Sequence, residues 1–178
     1  MRLSVRTCFF LYALFCLGLL GSGLILGEVA RLQPCHLCNL QRLYYMLMAL
    51  FALCGAIGPR QRRLWAALVA LMALGGMITA IQQSWMQFMP QQATECGFGE
   101  PTLAEQLIDW LGMQWPAMFM VTGFCTVKDW TFLGLSLANW STFCFLGLFL
   151  VAGGIFFWRN FHSRWLAIDE GFLHIRWK

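Results

Sequence analysis

Long charge-free stretches alternate with short polar ones along this chain. Residues Cys8–Gly27 hold twenty positions without a charge. At 1.5 Å per residue they are long enough to cross a hydrocarbon core of about 30 Å. A second run, Leu43–Pro59, lies between Arg42 and Arg60. It is slightly short, which side-chain snorkelling or local thinning accommodates. The third run, Leu64–Ile81, can extend to about Trp85, and the fourth is Thr142–Trp158. Tyr44, Tyr45, Trp65, Trp85, Trp140 and Trp158 mark many of the ends, and amphipathic rings favour the headgroup level. The pattern predicts an all-α membrane protein: one domain over residues 1–178, a bundle of four transmembrane helices spanning about 8–27, 43–59, 64–85 and 142–158. The basic start at Arg2 and Arg6 also suits a secretory leader. The first apolar run exceeds the usual ~7–15 residues, however, and no small-residue cleavage site follows. A retained helix is therefore expected.

Composition agrees. Of the 178 residues 60% are hydrophobic and only 11% charged, against about 25% charged in an ordinary soluble domain. The mean hydropathy is +0.64. A soluble domain lacks enough polar surface at this composition, and disorder is excluded by the apolar content. The net charge of +4 is modest and carries no nucleic-acid signal. Its placement is informative. The link Pro59–Arg63 is so short that the helices on either side form an antiparallel hairpin. With the N-terminus, this link and the tail 159–178 on one side, that side carries Arg2, Arg6, Arg60, Arg62, Arg63, Arg159, Arg164, Arg176 and Lys178. The other side has Arg31, Arg42 and Lys128. The positive-inside rule makes the first side cytoplasmic. Two segments then face outward, about 28–42 and 86–141. In the longer one, Leu103, Leu107, Ile108 and Leu111 share a helical face. A short amphipathic helix is expected there, lying on the membrane or packed against the loop.

The eight cysteines divide along the same lines. Cys8, Cys16, Cys54 and Cys144 fall inside apolar runs and read as small packing residues. Cys35, Cys38, Cys96 and Cys125 all fall in the outward segments. Disulfides persist outside a bacterial inner membrane and not in the cytosol. Cys35-His-Leu-Cys38 is a C-x-x-C motif. Its ring is too small to restrain the unfolded chain much, so a dithiol that opens and closes is the stronger reading. A disulfide between Cys96 and Cys125 would close a loop worth roughly 3–4 kcal/mol in the chain-entropy model, so a structural role is a real alternative there. Four outward cysteines could also ligate zinc, but zinc ribbons show two close pairs, and no metal is expected.

Cys38 is the best candidate for the reactive thiol. It sits near the start of the second helix, where the dipole favours an anion. Arg42 lies one turn further on the same face, as a cation partner or a snorkelling anchor. Both effects favour thiolate. Cys38 is also close to the membrane interface, where a lipid-soluble oxidant could meet it. His36 is either a proton carrier or a solvated bystander.

These residues resemble those of the bacterial DsbB family of disulfide bond formation proteins. The likeness covers most of the length. It rests on Pro34-Cys-His-Leu-Cys38 with Arg42 after it, on Cys96 in the second outward loop, and on Gly123-Phe-Cys125 with Trp130, Phe132-Leu-Gly-Leu135 and Trp140. The resemblance implies a thiol:quinone oxidoreductase of the inner membrane with its active loops in the periplasm. It pairs Cys35 with Cys38 and Cys96 with Cys125, and makes all four catalytic. A soluble DsbA-like thiol oxidase would deliver electrons at Cys96, and Cys38 would pass them to ubiquinone or menaquinone. Arg42 resembles the family's quinone-supporting arginine. Gln83 stands where some members have a histidine near the quinone. It can donate a hydrogen bond but cannot carry a proton. Gln41 replaces the family's acid before the arginine. The interval between Cys96 and Cys125 is also slightly long, which leaves room for a different partner surface. Two rivals fit less well. A vitamin K epoxide reductase-like protein would place its C-x-x-C after the loop cysteines. A tetraspanin-like organiser would need a Cys-Cys-Gly signature where Glu95-Cys96-Gly97 supplies a single cysteine.

Overall fold

The computed structural model describes residues 5–58, 61–89, 102–126 and 130–174, with side chains as far as Phe157 in the last segment. Helix α1 is Val5–Val29, α2 His36–Ile57, α3 Arg62–Phe88, α4 Leu103–Gln114, α5 Pro116–Phe119 and α6 Leu137–His174. Strands β1 (Thr131–Phe132) and β2 (Leu135–Ser136) precede α6. Among the described residues four helices are long and apolar enough to cross a membrane: α1, α2, α3 and, in α6, Leu137–Phe157. The fold is thus the expected all-α four-helix membrane bundle. Its outer faces are apolar too, with Phe10, Leu14, Leu50, Leu71, Ile78 and Leu150 exposed. A helix that is apolar all round needs lipid or protein on every side. Cys96, with Glu95 and Gly97, lies outside the described residues, as do Lys128 and Asp129.

Helix α3 packs against both α2 and α6, and α1 packs mainly on α2. Without a hydrophobic drive between helices in lipid, close packing of small residues holds such bundles together. Ala52, Ala66, Ala73 and Ala80 are buried at these contacts. Gly76 on α3 is the tightest. The Phe145 ring of α6 occupies the space where a Cβ would stand. Phe145 also stacks on Tyr45 of α2, with centroids 4.3 Å apart and planes 12° from parallel. Three helices therefore lock at one level. Tyr12 of α1 joins them by donating its hydroxyl to the Leu148 carbonyl of α6 at 3.2 Å.

At one end of the bundle the α1–α2 and α3–α6 connections meet. Helix α4 starts with a capping box: the Thr102 hydroxyl accepts from Glu105 N, and the Glu105 carboxylate accepts from Thr102 N. This satisfies two of the free N–H groups at the helix start. The sequence pattern marks a helix near Leu103–Leu111; the structure carries it on to Gln114 and splits its apolar residues. Ile108 and Leu111 are buried with Phe119 against Leu40, Leu43 and Met46 of α2. Leu103, Leu107, Trp110 and Met113 stay exposed. The helix is thus docked on the bundle while a second apolar row faces outward. Pro116 opens α5 at a first-turn position, where its missing N–H is harmless.

The β1–β2 hairpin was not legible beforehand. Phe132 pairs with Leu135 across a two-residue turn. Leu133 and Gly134 both have positive φ, 54° and 78°, the type I′ geometry that suits strand twist. Trp140 Nε1 donates to Phe132 O at 3.2 Å, which folds the hairpin back over the start of α6.

Candidate functional site

The first turn of α2 carries the C-x-x-C. Cys35 is the N-cap in extended conformation, and its carbonyl accepts from Asn39 N at 3.0 Å. The motif thus straddles the helix start, so both sulfurs project on one side of a single turn. Cys35 Sγ and Cys38 Sγ are 3.1 Å apart. A bond between them needs only side-chain rotation.

The second connection brings Cys125 to the same place. Cys35, Leu37 and Cys125 are buried together, with Cys38 and Met86 packed around them. The Cys35 thiol is held well above the ordinary thiol range, first by its hydrogen bond with Cys125, then by that with Cys38, and by burial. Cys35 thus keeps its proton, and the Cys38 sulfur is the acceptor of the pair. Gln83 of α3 also donates to Cys38, from Nε2 at 3.0 Å, with a longer contact of 3.7 Å to Cys35. Gln41 fixes the orientation of that amide by donating to Gln83 Oε1 at 2.8 Å. Both glutamines are buried, and buried amides need such partners.

A cavity of about 520 Å³ opens beside Cys38. That is within the range of small-molecule sites, roughly 300–1,000 Å³. Its polar edge is Cys38, Gln41, Arg42, Gln83 and Gln87, and its walls include Leu19, Leu20, Leu26, Trp130, Phe132 and Trp140. Cys144, read from sequence as a packing residue, is also in the wall. Arg42 has a second task beside the cavity. Its Nη1 donates to Asn39 Oδ1 at 3.2 Å and to Met118 O at 2.8 Å. An aromatic ring bearing carbonyl groups fits this donor set: apolar walls for the ring and tail, with Arg42 and the glutamine amides for oxygen atoms.

The structure thus gathers Cys35, Cys38, Cys125, Arg42 and Gln83. The remaining candidate, Cys96, is outside the described residues. Sequence reasoning missed Asn39, fully buried beside Cys38, and the pairing of His36 Nε2 with Asp109 Oδ1 at 3.0 Å. The signal for Gln83 was available. Polar residues inside otherwise apolar helices are costly and tend to face a functional interior.

Helices built to span a bilayer, with a dithiol at one helix start, a third thiol against it and an apolar cavity alongside, define a membrane dithiol oxidoreductase. The sequence profile of the family described as Disulfide bond formation protein DsbB matches residues 5–155. The Disulfide bond formation protein B of Dechloromonas aromatica (strain RCB) is 46% identical over 147 residues, which cover 83% of this chain and 89% of that protein. That of Aromatoleum aromaticum is 42% identical over 150 residues, 79% and 86% of the two chains. That of Azoarcus sp. (strain BH72) is 38% identical over 158 residues, 87% and 94%. The chain belongs to the DsbB family. It is a multi-pass membrane protein-disulfide oxidoreductase of the thiol:quinone class, which generates disulfides and reoxidises DsbA.

Proposed function

We propose that two cysteine pairs carry electrons from a periplasmic DsbA-like dithiol to a quinone of the bacterial inner membrane. In this reading the 28–42 and 86–141 segments face the periplasm. The N-terminus, the 59–63 link and the tail face the cytoplasm. The observation that carries the proposal is the meeting of three sulfurs from two connections: Cys125 hydrogen-bonds Cys35, which lies 3.1 Å from Cys38.

The steps are thiol–disulfide exchanges. A thiolate of the reduced partner attacks Cys96 of the Cys96–Cys125 disulfide, and Cys125 leaves as thiolate. The partner's second thiolate then attacks the partner sulfur of the mixed disulfide. The partner departs oxidised and Cys96 is released as thiolate. Cys125 next attacks Cys35 of the Cys35–Cys38 disulfide, forming Cys35–Cys125 and releasing Cys38. Attack of Cys96 on Cys125 restores the Cys96–Cys125 bond and frees Cys35. Two electrons now reside in the Cys35/Cys38 dithiol. Ubiquinone or menaquinone in the cavity would supply a two-electron acceptor, with one proton of the quinol coming from Cys35 and the other from solvent. Arg42 and Gln83, which line the cavity with Cys38, would hold its oxygen atoms within reach of the Cys38 sulfur. Cys35, protonated after its release, would close on Cys38 and give up that proton as the two electrons leave the pair.

The test is stoichiometry. Purified protein, a soluble quinone and a reduced thioredoxin-like partner should consume one quinone per partner disulfide formed, and Cys38→Ser should abolish that consumption. Equal rates in wild type and Cys38→Ser would sink the relay. A partner whose second cysteine is replaced by serine should in turn stay on Cys96 as a mixed disulfide, with Cys125 leaving as thiolate, seen as an adduct on a non-reducing gel.

A further inference from the structure

We propose that Asn39 is the positioning residue that docks the Cys125 segment onto the Cys35–Cys38 pair. The proposal rests on the relay reading above and names what holds its middle step in place.

Asn39 follows Cys38 directly and is fully buried. A buried carboxamide without partners is strongly disfavoured, and an aliphatic side chain would fill the same space. Asn39 uses its whole polar end. Its Nδ2 donates to Phe119 O at 2.8 Å and to Met120 O at 3.3 Å. Its Oδ1 accepts from Arg42 Nη1 at 3.2 Å. Carbonyl oxygens only accept, so the amide orientation is fixed by its partners. Both carbonyls belong to the far connection, 80 and 81 residues away in sequence. One side chain on the redox helix thus grips the backbone that leads to Cys125.

A second grip lies a few residues on. Thr122 N and Gly123 N donate to Pro34 O at 3.0 and 3.2 Å. Gly123 lies so close to the Gln33 carbonyl that a Cβ would collide with it. Pro34 and Asn39 flank the C-x-x-C on either side. The strand of chain between the grips runs across the motif, and Cys125 arrives buried against Cys35. Exchange between the two pairs requires in-line approach of one sulfur to another. Proximity of this kind is what a positioning residue supplies.

The test isolates that step. In the full chain with Cys38→Ser and Cys96→Ser, Cys35 and Cys125 are cross-linked with diamide and the rate is read by peptide mass mapping. The parent should cross-link; failure to do so would overturn the relay reading itself. Asn39→Asp keeps the shape and the acceptor for Arg42 but loses both donations. Asn39→Leu loses all three bonds. Each should slow cross-linking about ten-fold, equivalent to ~1.4 kcal/mol. In the four-cysteine protein the same variants should lower partner-driven kcat by about that factor, with partner kcat/KM unchanged, because the partner engages Cys96 and leaves before the docked step. A cross-linking rate within two-fold of the parent, or a loss expressed in KM alone, would overturn the proposal. Where one variant does not accumulate, the other decides by the same thresholds.

Discussion

Gln83 Nε2 points at Cys38 Sγ from 3.0 Å, and Gln41 keeps it pointing there. Hydrogen bonds to a charged acceptor contribute about 1.5–3 kcal/mol. Gln83→Leu should therefore slow single-turnover quinone reduction by at least about ten-fold. Gln83→His restores a donor but adds a group titrating near pH ~6.5. Its rate should acquire a further step between about pH 5.5 and 7.5, read as the difference from the wild-type profile. Rapid-mixing absorbance of the quinone across that range checks both. A Gln83→His profile that matches wild type would show that position 83 does not touch the reacting sulfur.

The two thiols of the C-x-x-C should differ in reactivity. Cys35 is held above the ordinary thiol range by Cys125, Cys38 and burial, so it stays protonated at neutral pH. In the reduced protein, iodoacetamide at pH 7 should label Cys38 at least about ten times faster than Cys35. Cys125→Ala removes the first of those causes and should bring Cys35 labelling to lower pH. Peptide mass mapping of timed samples reads both, and equal labelling of the two thiols would contradict the assignment.

Gly76→Ala should strain the bundle. The added methyl meets the Phe145 ring, which is stacked on Tyr45. Overpacking of this kind destabilises by about 1–3 kcal/mol. Unfolding in mixed micelles should show the loss, and Phe145→Leu in the same chain should recover part of it.

The His36–Asp109 pair should matter little to stability. Its side chains are 33% and 54% exposed, and exposed pairs contribute roughly 0–1 kcal/mol. Asp109→Asn should shift unfolding by less than about 1 kcal/mol. Helix α4 is seated by Ile108 and Leu111, which are buried. Ile108→Ala, judged by the same measurement, should cost about 2–5 kcal/mol.

The bundle was legible because lipid imposes a coarse rule: charge-free runs of sufficient length span, and charges mark the ends. The rule blurs at the boundaries. Helix α2 starts at His36, seven residues before the charge-free run at Leu43, because Arg42 sits within the helix on hydrogen bonds to Asn39 and Met118. Cys38 and Arg42 were legible from their helical spacing. Gln83 was found only through resemblance, although its amide is buried in an apolar helix and held by Gln41. Asn39 was missed because its partners are backbone carbonyls 80 residues away, and a backbone carbonyl has no letter in a sequence. The hairpin was missed for a local reason: its turn is Leu-Gly rather than the Asn-Gly or Asp-Gly that signals a type I′ turn.

That turn has a consequence for how deep the molecule sits. Leu133 adopts a left-handed backbone, φ 54°, which costs an L-residue roughly 1–2 kcal/mol. Its side chain is 78% exposed, so contacts within the protein do not offset that. Acyl chains would, since they solvate leucine where water does not. The hairpin tip is then a depth gauge: an exposed leucine there gains from acyl chains and not from water. A nitroxide placed there should be relaxed by oxygen dissolved in the bilayer rather than by a water-soluble nickel chelate.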